Sequence, residues 1–382
     1  MRILFIGHNG YEYPHTRVRC YHFARMLSKH PRVETSVLSF RDDLAPHKTE
    51  ADIYNLRDRE KVVLTAKAVW RLLQEKNTVV YIQKAHFHAA APYWLYRMGW
   101  LKSYIFDYDD YDIPLSNFFY RGTLNRLFFG SNRWDEITFR LIRNAAGCVA
   151  SSRELCSLMQ EHNPKVSYIP TGVDADVFKP SAHKPSSAEA VVLWNGLVWG
   201  EPILKNIRML FSAFQRARIQ APNLRLLLAG GGAAWPDLKK VAADRFSDVP
   251  IEWREWIDPR EMPALLQSVD IGVLPLEGED RWLRCKSPTK LFEYMSAGLP
   301  VIASAVGEAS HVIEHQKSGL LAQNEADFSD LLIALAQNPE QRMTLSAHAR
   351  ERIESNYALP VLGERLYHFL QSIFPVLAEK SA

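Results

Sequence analysis

Cysteine is scarce in this chain. Its four cysteines (Cys20, Cys148, Cys156, Cys285) are scattered, with no CxxC pair and no histidine cluster at metal-ligand spacing. That excludes a disulfide framework and a zinc module, and points to a reducing, cytoplasmic compartment. Charge of one sign is also missing. The 46 Lys and Arg are set against 43 Asp and Glu, a net charge of +3, too small for a general nucleic-acid binder. No apolar run approaches the ~20 residues that a membrane helix needs. The opening stretch, MRILFIGHNG, has too short an apolar run for a signal peptide and reads as a buried strand entering a glycine loop. GHNGYE after that strand lacks the GxGxxG pattern, which removes an NAD dehydrogenase. No solenoid-type repeat is visible.

What the chain has is length and apolar content: 382 residues at 47% hydrophobic suit two cores better than one. Strand-like runs (RILFIG, VETSVLSF, TVVYIQ, YIFDY, GCVAS, VSYIP) alternate with helix-period segments, the pattern of a parallel sheet covered by helices. A Pro, Ser and Ala segment without periodicity interrupts the pattern, which restarts at AVVLWNG. The expected organisation is an N-terminal domain over 1–178, a linker over 179–190, a second domain over 191–358 and an amphipathic helix over 359–382 packing back across the junction. Both domains are α/β and doubly wound, facing each other. Ligands of such sheets bind outside the carboxyl ends of the strands, so Gly7 to Gly10, Gly196, Gly230 to Gly232 and the 286–290 turn should line one crevice.

KSPTKLFEYMSAGLPVIA, from Lys286 to Ala303, carries the sharpest signal. Pro288 suits a first helical position and Gly298 a helix end, so Ser287–Ala297 reads as a short helix followed by a buried strand. A helix N-terminus favours acidic residues, yet this one has Lys290 in its first turn and Lys286 just before it. Two lysines at a positive helix end suit a phosphate or diphosphate. Glu293, on the same face as Lys290, could hold a ribose by its hydroxyls, while Leu291, Phe292 and Met295 point to the core. An ordinary surface helix with a weak Lys290–Glu293 pair is the alternative.

Together with YIPTGVDADVFKP, LRLLLAGGG, IEWREWID, DIGVLPL and the Gly307–Glu308 pair, this stretch resembles the nucleotide-sugar half of the retaining GT-B glycosyltransferases of family 4, from about Val149 onward. The first half resembles their acceptor domain more loosely. The resemblance implies a GT-B fold of two Rossmann-like domains around a central cleft. It also implies transfer of a sugar from a UDP- or GDP-type donor to a saccharide or lipid-linked acceptor with retained configuration, without a cofactor or an essential metal. By resemblance, Glu293 holds the ribose and the Ser287, Pro288, Thr289 turn holds the diphosphate, with Lys205 and Lys290 neutralising it. Ile257 lies near the base, and Gly10, Gly196 and Gly230 allow close backbone approach. Two departures stand out. Cys285 occupies the place of a second glutamate eight positions before Glu293, and Leu197 that of an arginine, whose charge Arg208, Arg284 or Lys286 could supply.

In the first half, KSYIFDYDDYDIP is the most acidic short run. Asp109 and Asp110 correspond to the family's His-Asp pair, with Asp109 expected to orient a hydroxyl or take its proton; Asp112 and its neighbours could instead cap the next helix. Arg17 and Arg19 in PHTRVR stand at a helix start and, by the logic used for Lys290, would face a phosphate. Lys84 and His86 follow TVVYIQ at the same sheet end. YWLYRMGWLKSY and FFYRGTLNRLFFGSNRW could lie on a membrane surface, which would place the protein at its inner face; helices packing their apolar sides inward have the same composition. The pathway implied is surface polysaccharide or glycolipid assembly. Two other readings share the architecture: a nucleotide-sugar 2-epimerase, which lacks the TGVD and LFEYMSAG combination, and a non-catalytic nucleotide-sugar binding protein.

Overall fold

The computed structural model describes residues 1–375 apart from 50, 51, 54, 76, 114–123 and 182–188. The chain divides into two compact units. Unit 1 comprises Met1–Thr171, Cys285–Ser287 and the chain from Leu359; unit 2 comprises Gly172–Arg284 and Pro288–Ala358.

Unit 1 is built on a six-stranded sheet in the order β2-β1-β3-β4-β5-β6. The strands are β1 (Arg2–Gly7), β2 (Glu34–Ser39), β3 (Thr78–Gln83), β4 (Tyr104–Tyr108), β5 (Gly147–Ala150) and β6 (Val166–Tyr168), and every pairing is parallel. Alternation along each strand sorts its side chains between two faces. Leu4, Ile6, Val80, Ile82 and Phe106 enter one core; Ile3, Phe5, Val79, Tyr81 and Ile105 enter the other. The second face is closed by the helix Leu359–Ile373, whose Leu359, Leu362, Leu366 and Leu370 recur at helical spacing and are all buried. Gly363 of that helix lies against Met26 of the helix Phe23–Leu27.

Unit 2 repeats the plan in the order β12-β11-β10-β7-β8-β9. Its strands are β7 (Ala190–Leu197), β8 (Leu224–Gly231), β9 (Ile251–Arg254), β10 (Ile271–Leu274), β11 (Val301–Ser304) and β12 (Leu320–Ala322), again all parallel. Val192, Leu226 and Val273 face one core; Leu193, Leu227 and Ala303 face the other, where Leu291, Phe292 and Met295 pack.

The change of unit falls at Thr171/Gly172 rather than at 178. Val173 already bridges to Ala358, and the Phe178 carbonyl accepts from Ser296 and Arg350, all within unit 2. Of the segment 179–190 expected as a linker, 182–188 lie outside the described residues and Ala190 opens β7. In the aromatic stretches weighed for a membrane surface, of which 118–123 lie outside the described residues, Tyr93, Phe129 and Trp134 are buried ring against ring and Phe128 is buried against Phe87 and Trp94, while Met98, Trp100 and Leu127 stay exposed. No helix among the described residues is long and apolar enough to cross a membrane.

Candidate functional site

In unit 2 the strand order reverses at β7, which lies between β8 and β10, and sheets of this kind bind ligands beyond their carboxyl ends at such a point. Gly196 and Gly230, in register there, are the next-to-last residues of β7 and β8. At Gly230 there is no room for a side chain, since a Cβ would strike the Gly196 carbonyl, and a Cβ at Gly196 would displace the Lys290 ammonium that lies against it. Both also hold φ angles that disfavour side chains, 153° and 158°. Lys290 Nζ lies 4.6 Å from the centre of the Trp194 ring, a cation–π contact on β7. The lysine is thus held at the sheet end by a buried tryptophan and a missing Cβ.

The helix carrying Lys290 runs Thr289–Ser296, starting two residues later than expected because Pro288 takes the N-cap position. No side chain caps it and its first turn holds no acidic residue, so the positive end of its dipole is not offset by a carboxylate of its own. Tyr294 locks it to β7, its O–H donating to Asn195 Oδ1 (2.5 Å) while its oxygen accepts the Asn195 N–H (3.2 Å). Glu293 is half-buried on the Lys290 face. Lys205, in the second turn of the helix Glu201–Arg218, reaches Glu277 at 3.8 Å. Ile257 follows β9, half-buried against the core. Arg208 pairs with Glu201 on its own helix and Arg284 donates to the Glu279 carbonyl, so two of the three cations weighed as substitutes at Leu197 have partners here.

The 286–290 turn is divided between the units. Cys285 is buried in the core of unit 1, and the Ser287 hydroxyl accepts the Thr171 N–H (3.1 Å) there. Gly10 also has a local explanation: a Cβ would strike the Asp42 carboxylate, which accepts the Tyr11 N–H (2.8 Å).

In unit 1 the order reverses at β1, between β2 and β3. Just past β3, Lys84 holds a left-handed φ of 61°, the kind of strain that persists where surrounding structure enforces it. Its ammonium is 3.4 Å from Asp109 Oδ1, and Gln83 Nε2 donates to Asp109 Oδ2 (3.1 Å). His86 Nε2 meets Asp112 Oδ2 at 2.9 Å, and the Tyr108 hydroxyl donates to Asp112 Oδ1 (3.0 Å). The helix-capping alternative for Asp112 concerns 114–123, which lie outside the described residues. The His8 ring stands 4.1 Å from His86 and 5.2 Å from His88. Sequence reasoning missed this histidine group, because its members come from two strand ends distant in the chain.

The carboxylates are tuned apart. Burial would raise the Asp109 pKa, but Lys84, His15, Arg19 and the Gln83 hydrogen bond override it and hold the group below the ordinary value. For Asp110 burial wins against Lys84 and Lys286, and its pKa is raised. Burial also opposes ionisation of Asp112, yet His86 and Lys84 bring its pKa down. Burial, reinforced by neighbouring cations, lowers His8 well below its ordinary value and His88 to about 3, so both are neutral imidazoles near pH 7. Asp109 is therefore an ionised acceptor suited to a hydroxyl, beside a carboxyl more readily protonated.

The expectation that Arg19 faces a phosphate fails. Arg19 is buried, donating from Nε and Nη2 to Asp107 (2.8 and 2.6 Å) and from Nη1 to the Ile169 and Pro170 carbonyls. Arg17 donates to the carbonyls of Tyr11 and Glu12. A cation at a helix start can serve the protein's own acceptors, and both do.

Comparison with known proteins bears on these arrangements. Residues 189–338 match the family model "Glycosyl transferases group 1". A GDP-mannose-dependent monoacylated alpha-(1-6)-phosphatidylinositol monomannoside mannosyltransferase of Corynebacterium glutamicum is 27% identical over 221 residues, 55% of this chain and 57% of that protein. A D-inositol 3-phosphate glycosyltransferase of Pseudarthrobacter chlorophenolicus is 26% identical over 240 residues, 59% and 54% respectively. The chain thus spans a little over half the length of these curated relatives. Among solved structures, Anabaena Alr3699/HepE in complex with UDP-glucose superimposes with a TM-score of 0.68 at 15% identity, covering 97% of this chain and 100% of that one. Sucrose-phosphate synthase from Thermosynechococcus elongatus gives 0.68 at 16%, covering 98% and 100%. The fold is therefore GT-B, and the likeness to the glycosyl transferases group 1 model is carried by residues 189–338.

Proposed function

We propose that the protein is a retaining glycosyltransferase that moves a sugar from a UDP- or GDP-type nucleoside diphosphate donor to a saccharide or lipid-linked acceptor, in surface polysaccharide or glycolipid assembly on the cytoplasmic side. The observation that carries the reading is the Lys290 helix: an uncapped N-terminus, a lysine held over Trp194 beside Gly196, and Glu293 on the same face. Similar proteins support the donor class: one is a GDP-mannose-dependent mannosyltransferase, and another was solved in complex with UDP-glucose.

In this reading unit 2 takes the donor. Glu293 accepts hydrogen bonds from the ribose hydroxyls, and the backbone near Ile257 takes the base. The backbone N–H groups at the opening of the Thr289–Ser296 helix, with the ammonium groups of Lys205 and Lys290, supply the positive charge that metal-dependent transferases draw from a divalent cation. Unit 1 takes the acceptor, whose hydroxyl Asp109 orients. The bond between the sugar's anomeric carbon and the diphosphate oxygen breaks, and the diphosphate departs with the electron pair. The acceptor oxygen bonds to the same face, and its proton passes to the departing phosphate. Positive charge on the leaving phosphate lowers the barrier most, because that is where charge develops.

Binding tests the donor assignment. Charge-assisted hydrogen bonds to the ribose are worth roughly 1.5–3 kcal/mol, so Glu293→Ala should weaken nucleoside diphosphate binding about tenfold to 150-fold by calorimetry. Unchanged affinity would remove Glu293 from the site.

A further inference from the structure

Beyond β10 the chain turns through Leu276–Glu279, and hydrogen bonds anchor this turn to its neighbours. The Leu276 N–H donates to Ser304 Oγ (2.9 Å), and the Glu277 N–H donates to Asn206 Oδ1 (2.7 Å), a buried side chain. Asn206 directly follows Lys205 on its helix, so the bond that fixes the Glu277 backbone also brings its carboxylate to the Lys205 ammonium, at 3.8 Å. Both side chains in this pair are close to half exposed (48% and 43%), which makes it a weak bridge that a more highly charged anion can displace.

The same turn borders a cavity of about 450 Å³, lined also by Arg284, Ser304 and Gly307. That volume is in the range of small-molecule sites. Glu279 and Glu325 line it too, but among the described residues the carboxylate paired with Lys205 is that of Glu277. Cys285 offers no carboxylate, and its side chain is committed to the core of unit 1.

We propose that Glu277 is a specificity-determining residue for the donor sugar: it holds Lys205 until a donor binds, then accepts hydrogen bonds from hydroxyls of the transferred sugar when the diphosphate draws the ammonium away. The inference rests on the nucleotide-sugar reading of unit 2. Charge gives it direction. Beside a bound diphosphate a carboxylate is repelled, and with a bare nucleoside diphosphate nothing offsets that repulsion. With a nucleotide sugar, hydroxyl donors satisfy the carboxylate, and hydrogen bonds to a charged acceptor are among the stronger ones. Glu277 therefore favours the intact donor over the nucleoside diphosphate left after transfer, which assists product release.

The test is calorimetric titration of wild type and Glu277→Gln with UDP and UDP-glucose and with GDP and GDP-mannose. Glutamine keeps the side-chain shape and removes the charge. The expected result is that the affinity ratio of nucleotide sugar to nucleoside diphosphate falls about tenfold or more in the variant, through weaker binding of the sugar form with nucleoside diphosphate binding unchanged or tighter. Retained nucleoside diphosphate binding would also show that the variant is folded. A ratio altered less than about threefold, with nucleotide bound by both proteins, would overturn the role of Glu277 and leave the donor site standing. Failure of wild type to bind any of the four ligands would overturn the nucleotide-sugar reading itself, and this inference with it.

Discussion

Arg19→Ala should destabilise the protein by about 3–5 kcal/mol, the cost of leaving one member of a buried ion pair without its partner. Arg19 and Asp107 are both fully buried, the guanidinium meets the carboxylate through two nitrogens, and its remaining nitrogen serves the Ile169 and Pro170 carbonyls. The guanidinium also lies 4.9 Å from the centre of the Phe23 ring. Removing it strands the buried Asp107 charge near the end of β4 together with two carbonyls. Replacing both partners by apolar residues of similar volume, as in Arg19→Met with Asp107→Leu, should cost far less, since no charge is then left unpaired. Urea unfolding of the two variants beside wild type measures the difference. A loss under about 1 kcal/mol in Arg19→Ala would mean that the pair is not the buried anchor described here.

Asp109→Asn should leave nucleoside diphosphate binding within about twofold while sugar transfer falls at least ~100-fold, the usual scale for a group that handles a proton or orients a reacting hydroxyl. Asparagine keeps the hydrogen bond from Gln83 available but removes the charge that faces Lys84 at 3.4 Å. Asp109 belongs to unit 1, and the donor assignments lie in unit 2 apart from Gly10 and the Ser287 turn, which is why binding and turnover should separate. Steady-state transfer rates and calorimetry on one preparation make the comparison. Normal turnover in the variant would move the acceptor role to another residue, with Asp112 and its His86 partner next in line.

The parts of this molecule that were legible in the sequence are those set by local pattern. Alternating apolar runs announced two parallel sheets, because strand periodicity acts within a few residues, and the same local logic, applied to a lysine in the first turn of a helix, raised the expectation of an anion there. Arg19 shows where that logic stops. Its position at a helix start was read correctly, but the acceptor it serves, Asp107, is on a strand far along the chain, and no local rule reveals which anion a cation will meet. Gly10 likewise accommodates the Asp42 carboxylate, a contact made by the loop after β2. The Lys205–Glu277 pair depends on Asn206 bonding the backbone of a turn that follows a different strand. In LEGEDR nothing distinguishes Glu277 from its acidic neighbours.

The most direct measurement of the central claim is proton NMR of the purified protein incubated with UDP- and GDP-sugars and a panel of glycoside and lipid-linked acceptors. The account predicts release of one nucleoside diphosphate in step with a new glycoside whose anomeric proton keeps the donor's configuration. A product of inverted configuration, an epimerised sugar nucleotide, or donor that remains intact with every acceptor would contradict it.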